Sequence, residues 1–335
     1  PVLAQQSIRE MTRTARSPQE VLDDVSWAVF QEGYRGGFAA DADHLKTEKD
    51  IDETFNVGFT MYTIDPSDYV DNEADKYSLN VLKDRFKKLP WDTLECEEDD
   101  YYKEYLNKKF TLSTSDKSHV LAFEFSEETL LRAAVKYSAA IAHTVKIKRH
   151  LEELFGEEKF DLEMSVDETE TPTSILEHFF IASELKRLKV QVQGLALRFV
   201  GAFEKAIDYI GNLEEFEEAL RDHVLIARSC GPYKLSIHSG SDKFSIYPIL
   251  GEVTGVLLHL KTAGTSYLEA LRVVARHHPS LFREIVNYCF NCFEGDRRTY
   301  RISTDPSVVP SPDRVADKDL ERTFLDENNA RQLLH

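Results

Sequence analysis

The chain has 335 residues, 42% of them hydrophobic, and a formal net charge of −18 at pH 7. This length supports a large core in one or two domains. The strong negative charge argues against nucleic acid and anionic membrane as partners, since both attract basic surfaces.

The first residues, PVLAQQS, read as the tail of a strand, which implies residues missing upstream. SPQEVLDDVSWAVFQEG follows as a helix, with Ser17 as N-cap, Pro18 at the first helical position and Gly33 as the stop. GGFAADADHLK is a strand that turns polar at Asp41, Asp43 and His44. TEKDIDETFNVG is a short helix, and VGFTMYTIDPSDYV a strand ending at Asp65 and Pro66. Residues 69–118 form an acidic, tyrosine-rich insertion, expected as a helical excursion whose charge is a solvated face. HVLAFEFS is the next strand, followed by a long amphipathic helix, EETLLRAAVKYSAAIAHTVKIKRHLEELF. Strand FDLEMSVDET and helix TPTSILEHFFIASELKRL come next. After them stand strand QGLALRFVG, helix FEKAIDYIGNLEEFEEALRDHVLIARSCG, strand LSIHSG, strand EVTGVLLHLKTAG and helix SYLEALRVVARHHPSLFREIVNYCF.

Eight strands, nearly all separated by helices, imply a parallel sheet, and the expected fold is α/β: a closed (β/α)8 TIM-type barrel over 1–290. Residues 291–335, rich in proline and charge, are expected as an irregular or loosely helical C-terminal extension. No G-x-G-x-x-G follows a strand, which lowers the chance of a dinucleotide fold. The four cysteines, Cys96, Cys230, Cys289 and Cys292, are too few for a disulfide scaffold, so the expected setting is cytoplasmic. Cys289 and Cys292 form a lone C-x-x-C in an apolar run and read as core packing. No stretch approaches the roughly 18 apolar residues of a membrane span, and no signal peptide is visible.

With the polar parity of each strand facing inward, the strands offer Asp41 and Asp43, Thr63 and Asp65, Glu124 and Ser126, then Glu163, Ser165 and Asp167. Arg198, Ser236 and His238, and His259 and Lys261 complete the set. A barrel interior is normally filled by branched apolar side chains, so this many inward polar groups point to a site. His44, His238 and His259, with an acid such as Glu163, suit zinc or another divalent transition metal. His44 has the opposite parity to Asp43 and is expected where the strand has already turned into loop. The loops SGSDKF and KTAGTS, carrying Ser239, Lys243, Lys261 and Thr262, are small and glycine-containing, and the second leads into a helix N-terminus, which favours anions. With Arg198 available for a bidentate contact, these residues are the expected grip on a substrate carboxylate or phosphate.

GGFAADADHLKT, GFTMYTIDPSDYV, KLSIHSGSDKFSIYP and HLKTAGTSYLEALR resemble the bacterial tagaturonate epimerase family over about residues 1–300. The resemblance implies a metal-dependent enzyme, the ion being zinc, nickel, manganese or iron, that interconverts D-tagaturonate and D-fructuronate in hexuronate catabolism. It also implies a small hexuronate as partner, leaves a homo-oligomer open, and fits members that are longer at the N-terminus. Asp43-His44 and His238-Ser239-Gly240-Ser241 are further similar to the Asp-His pair and His-Gly-Gly-Ser-Gly loop of class II aldolases, with a departure at Ser239. The chemistry gives that likeness a reason. The inverted carbon is β to the ketone, so its hydrogen is not acidified; retro-aldol cleavage, rotation of the aldehyde and re-addition invert it instead. Asp43 is the expected proton carrier, with Glu163 and Asp167 as the other catalytic carboxylates. An aldolase that releases its fragments and a non-catalytic sugar-acid binding protein are the alternatives.

Overall fold

A computed structural model describes residues 1–156, 159–262, 266–299 and 302–335. The chain divides into two compact units. The first comprises 1–199, 217–236 and 253–259, the second 200–216, 237–252 and 260–335.

The strands are β1 (Val2–Ser7), β2 (Ala39–Leu45), β3 (Met61–Ile64), β4 (Lys109–Ser113), β5 (Val120–Glu124), β6 (Asp161–Ser165), β7 (Gly194–Ala196), β8 (Lys234–Ile237) and β9 (Leu258–Leu260). Seven of them form one sheet in the order β1-β2-β3-β6-β7-β8-β9, and the registered pairs from β1 to β8 are parallel. The sheet is curled and open, with β1 and β9 at its edges, so among the described residues the closed eight-stranded barrel expected from the alternation is not formed.

The difference traces to one element. HVLAFEFS, expected as a barrel strand, is β5 and pairs antiparallel with β4 in a separate hairpin, where Phe110 stacks on Phe123 at 5.6 Å. Its partner lies just upstream, within the acidic insertion. Glu124 is consequently exposed rather than inward, and Ser126 caps the helix Glu127–Phe155 by accepting from the Thr129 amide. Within the insertion the acids Glu97 and Asp99 are exposed, while Tyr101 and Tyr105 are buried and pack edge-on and tilted against Phe180.

Helix starts follow the sequence closely. Ser17 and Glu20 form a capping box with Pro18 in the first turn, and Gly33 adopts the left-handed φ of +61° just past the helix end. The last strand is shorter than expected, because YPILGEVT is helical (Tyr247–Thr254) and ends at Gly255, φ +59°. In the second unit the C-terminal segment is packed rather than loose: Leu320, Phe324 and Leu333 join Leu268, Phe282 and Val286 in one apolar core. Cys289 lies partly buried against that core. Among the described residues no helix is long and apolar enough to cross a membrane.

The first unit also buries a neutral histidine pair. His178 Nδ1 lies 2.9 Å from His223 Nδ1, and His178 Nε2 lies 2.7 Å from the Tyr233 hydroxyl. One ring must donate and the other accept, so a proton added to the accepting nitrogen leaves two donors facing each other. Burial, and for His178 the neighbouring ring, pushes His178 well below the usual histidine range, and burial pushes His223 down to about 4. Below about pH 6.5 the unfolded chain therefore binds protons that the folded chain does not, and stability falls as pH drops toward 4. Calorimetric Tm values should fall across that window, and a His178→Leu/His223→Leu double variant should show a shallower slope; an equal slope would place the acid sensitivity elsewhere.

Candidate active site

The polar parity of the parallel strands forms a hydrogen-bonded row within the first unit. Thr63 Oγ1 on β3 donates to Asp41 Oδ1 on β2 at 2.9 Å and lies 3.5 Å from Glu163 Oε1 on β6. Glu163 Oε2 meets His259 Nδ1 on β9 at 2.8 Å, and Ser236 Oγ on β8 lies 3.5 Å from the same nitrogen. Asp41, Thr63, Glu163 and Ser236 have no solvent exposure. Strands three places apart in a flat sheet would be separated by about 14 Å, so the bond between β6 and β9 depends on the curl. Burying a carboxylate at this depth is tolerable only with partners of this kind.

A second cluster sits at the C-terminal end of β2. From Ala42↔Tyr62 the register jumps to Leu45↔Ile64, so an extra residue is accommodated as a bulge, and His44 takes φ +54°. His44 is therefore still inside the strand, not beyond it as expected from parity. The bulge lets two successive residues serve the same site: His44 Nε2 lies 3.8 Å from Asp43 Oδ2, and its Nδ1 3.5 Å from Asp65 Oδ2. Gln5 Nε2 on β1 donates to Asp43 Oδ2 at 2.5 Å. Burial raises the Asp65 pKa, but its contacts with His44, Ser67 and Lys46 outweigh that and hold the carboxyl below its usual range.

The remaining expected residues are placed as follows. Asp167, two residues past β6, accepts from Ser165 Oγ. Arg198 lies just after β7, its backbone tied to Thr173 by bonds of 3.2 and 2.8 Å. In the second unit His238 is buried and Ser239 adopts φ +51°. The loop after β8 is stitched to the segment after β9: the Gly240 amide donates to Lys261 O at 2.9 Å and the Lys261 amide to Ile237 O at 3.0 Å. Lys261 is buried and Thr262 exposed. The rest of the KTAGTS loop, 263–265, lies outside the described residues. Lys243, fully buried, donates its ammonium to the carbonyls of Glu204, Ile207 and Ser241 at 2.7, 2.6 and 2.9 Å. Its three donors are thus engaged in bracing the loop.

Imidazole and carboxylate suit zinc, nickel, manganese or iron. Glu163 on Nδ1 of His259 reproduces the carboxylate that commonly orients a metal-binding histidine, leaving Nε2 as the donor nitrogen. Among the described residues no three His, Cys, Asp or Glu side chains already converge on one ligating point. The chemistry of these donors fits such an ion. Two residues escaped sequence reasoning: Gln5, because the first strand was given no parity, and Gly194, whose only signal was a glycine opening a strand.

The inner face of this α/β sheet thus carries a buried row of carboxylates and a histidine. The family model for UxaE, tagaturonate epimerase, matches residues 1–335, and the chain belongs to that family. The tagaturonate/fructuronate epimerase of Thermotoga maritima is 48% identical over 335 residues, covering 100% of this chain and 66% of the relative. Crystal structures of fructuronate-tagaturonate epimerase from Cohnella laeviribosi, native and with two glycerols bound, superimpose with TM-scores of 0.89 and 0.91 at 41% identity, again covering 100% of this chain and 66% of theirs. The chain thus spans just under two thirds of the length of these relatives.

The left-handed backbone of His44 supplies a test of the bulge. His44→Ala and His44→Gly both remove the imidazole, but only glycine adopts that φ without cost. Urea unfolding should find His44→Gly more stable than His44→Ala by about 1 kcal/mol; the reverse order would mean that this backbone conformation is wrong.

Proposed function

We propose that this chain forms the catalytic core of a divalent-metal-dependent epimerase that interconverts D-tagaturonate and D-fructuronate by retro-aldol cleavage and re-addition. Family membership supports the reaction. The observation that carries the chemistry is Asp43, buried and fixed by Gln5, beside His44 in the strand bulge. A divalent ion on His44, His238 and His259 would polarise the substrate ketone and stabilise charge developing on its oxygen.

Asp43 takes the proton from the hydroxyl on the carbon β to the ketone. The bond between the α and β carbons then breaks, and its electron pair passes toward the ketone. The new aldehyde turns over and is attacked on its other face, and Asp43 returns the proton to the oxygen. Glu163 holds His259 through Nδ1, with Thr63, bonded to Asp41, standing beside it. Asp167 is the further carboxylate proposed for proton transfer. Arg198 and Lys261 are proposed to bind the uronate carboxylate, with Ser239 and Thr262 as polar contacts; Lys243 would serve there only by giving up its carbonyl bonds.

The reading is tested by elemental analysis of the purified protein together with a tagaturonate turnover assay. Stoichiometric metal and fructuronate product are expected; release of a free aldehyde fragment would make the protein an aldolase, and binding without turnover would make it a sugar-acid binding protein. Asp43→Asn should keep the metal and lose roughly 10²–10⁴-fold in turnover, since amide replaces base at constant shape. Near-normal turnover would transfer the role to Glu163 or Asp167. Lys261→Met should raise KM about 10-fold or more for the uronate, and far less for the neutral ketohexose that lacks the carboxylate. Equal effects on both substrates would leave Arg198 as the leading carboxylate contact.

A further inference from the structure

We propose that Gly194 is a positioning residue for Glu163: by having no side chain, it leaves the space through which the Glu163 carboxylate reaches His259. This rests on the role given to Glu163 and His259 above. The two residues face each other directly in the register of β6 and β7. A Cβ built on Gly194 would stand 2.4 Å from Glu163 Oε2 and 3.2 Å from its Cγ and Cδ. To meet His259 on β9, the Glu163 side chain must pass in front of β7 and β8. At the inward positions of those strands stand Gly194 and Ala196, then Ser236. Only the residue in register with Glu163 lacks a side chain altogether.

Backbone conformation does not demand a glycine here. Gly194 is not among the residues with positive φ, so alanine carries no backbone strain at this position. The clash falls on the far end of a flexible side chain rather than on backbone, so the carboxylate yields and the fold survives. Once displaced, Glu163 loses its 2.8 Å bond to His259 and its approach to Thr63. The imidazole then has no carboxylate fixing its tautomer and orientation, a kind of loss that typically costs 10–100-fold in metal affinity or activity.

Gly194→Ala should give a folded protein with kcat reduced about 10–100-fold and KM changed much less. The discriminating measurement is a cycle with Glu163→Ala. In the Glu163→Ala background the three atoms nearest the added methyl are gone, so Gly194→Ala should reduce kcat no further. Thermal unfolding runs the same cycle without relying on activity: Gly194→Ala should lower Tm in the parent and leave or raise it in Glu163→Ala. Wild-type kcat and Tm for Gly194→Ala, or additive losses in the Tm cycle, would overturn the proposal. If Glu163→Ala keeps full turnover, the catalytic reading of Glu163 fails, and the Tm cycle still decides whether Gly194 positions it.

Discussion

Glu163 is a carboxylate with no solvent exposure, planted in the middle of a parallel sheet. A buried charge in such a place is costly unless partners surround it, and each partner constrains another part of the first unit. Thr63 must present its hydroxyl from the neighbouring strand, Asp41 must hold Thr63, and the sheet must curl far enough for His259 to meet Glu163 from β9. The inner face is organised by this requirement more than by apolar packing. Ala40, Ala42, Leu162, Met164 and Leu195 alternate with the polar row and are buried on the opposite parity, where the helices cover the sheet.

The second constraint is the bulge in β2. A regular strand would send Asp43 and His44 to opposite faces. The left-handed residue at His44 breaks that alternation and sets its ring between Asp43 and Asp65, at the cost of an unfavourable backbone conformation. Strain of this kind persists where surrounding bonds over-determine it. Here the β1 neighbour Gln5 on Asp43 and the Ser67 amide on Asp65 supply them.

Much of this was legible in the residues. Period-two alternation placed Asp41, Thr63, Glu163, Ser236 and His259 on one face, and the capping signals at Ser17 and Gly33 marked a helix that forms between them. What was hidden has physical causes. The partner of HVLAFEFS lay in an acidic stretch whose composition masked a strand, so β5 read as part of the main sheet. A bulge has no period, so His44 was assigned to loop. The tail after 291 builds its packing from short 3-10 and π turns and one seven-residue helix, yet it buries Leu320 and Phe324 completely. Lys243 looked like an anion contact from its loop chemistry; two of its three carbonyl partners, Glu204 and Ile207, come from a segment distant in sequence.

The chemistry proposed for this arrangement breaks a carbon–carbon bond and leaves the hydrogen of the inverted carbon in place, carried through as the aldehyde hydrogen. Direct proton abstraction at that carbon would instead exchange it with solvent. Turnover of tagaturonate in D2O, with the fructuronate product read by mass spectrometry and NMR, separates the two. The account predicts no deuterium at the inverted carbon after complete equilibration; one deuterium per turnover at that position would contradict it.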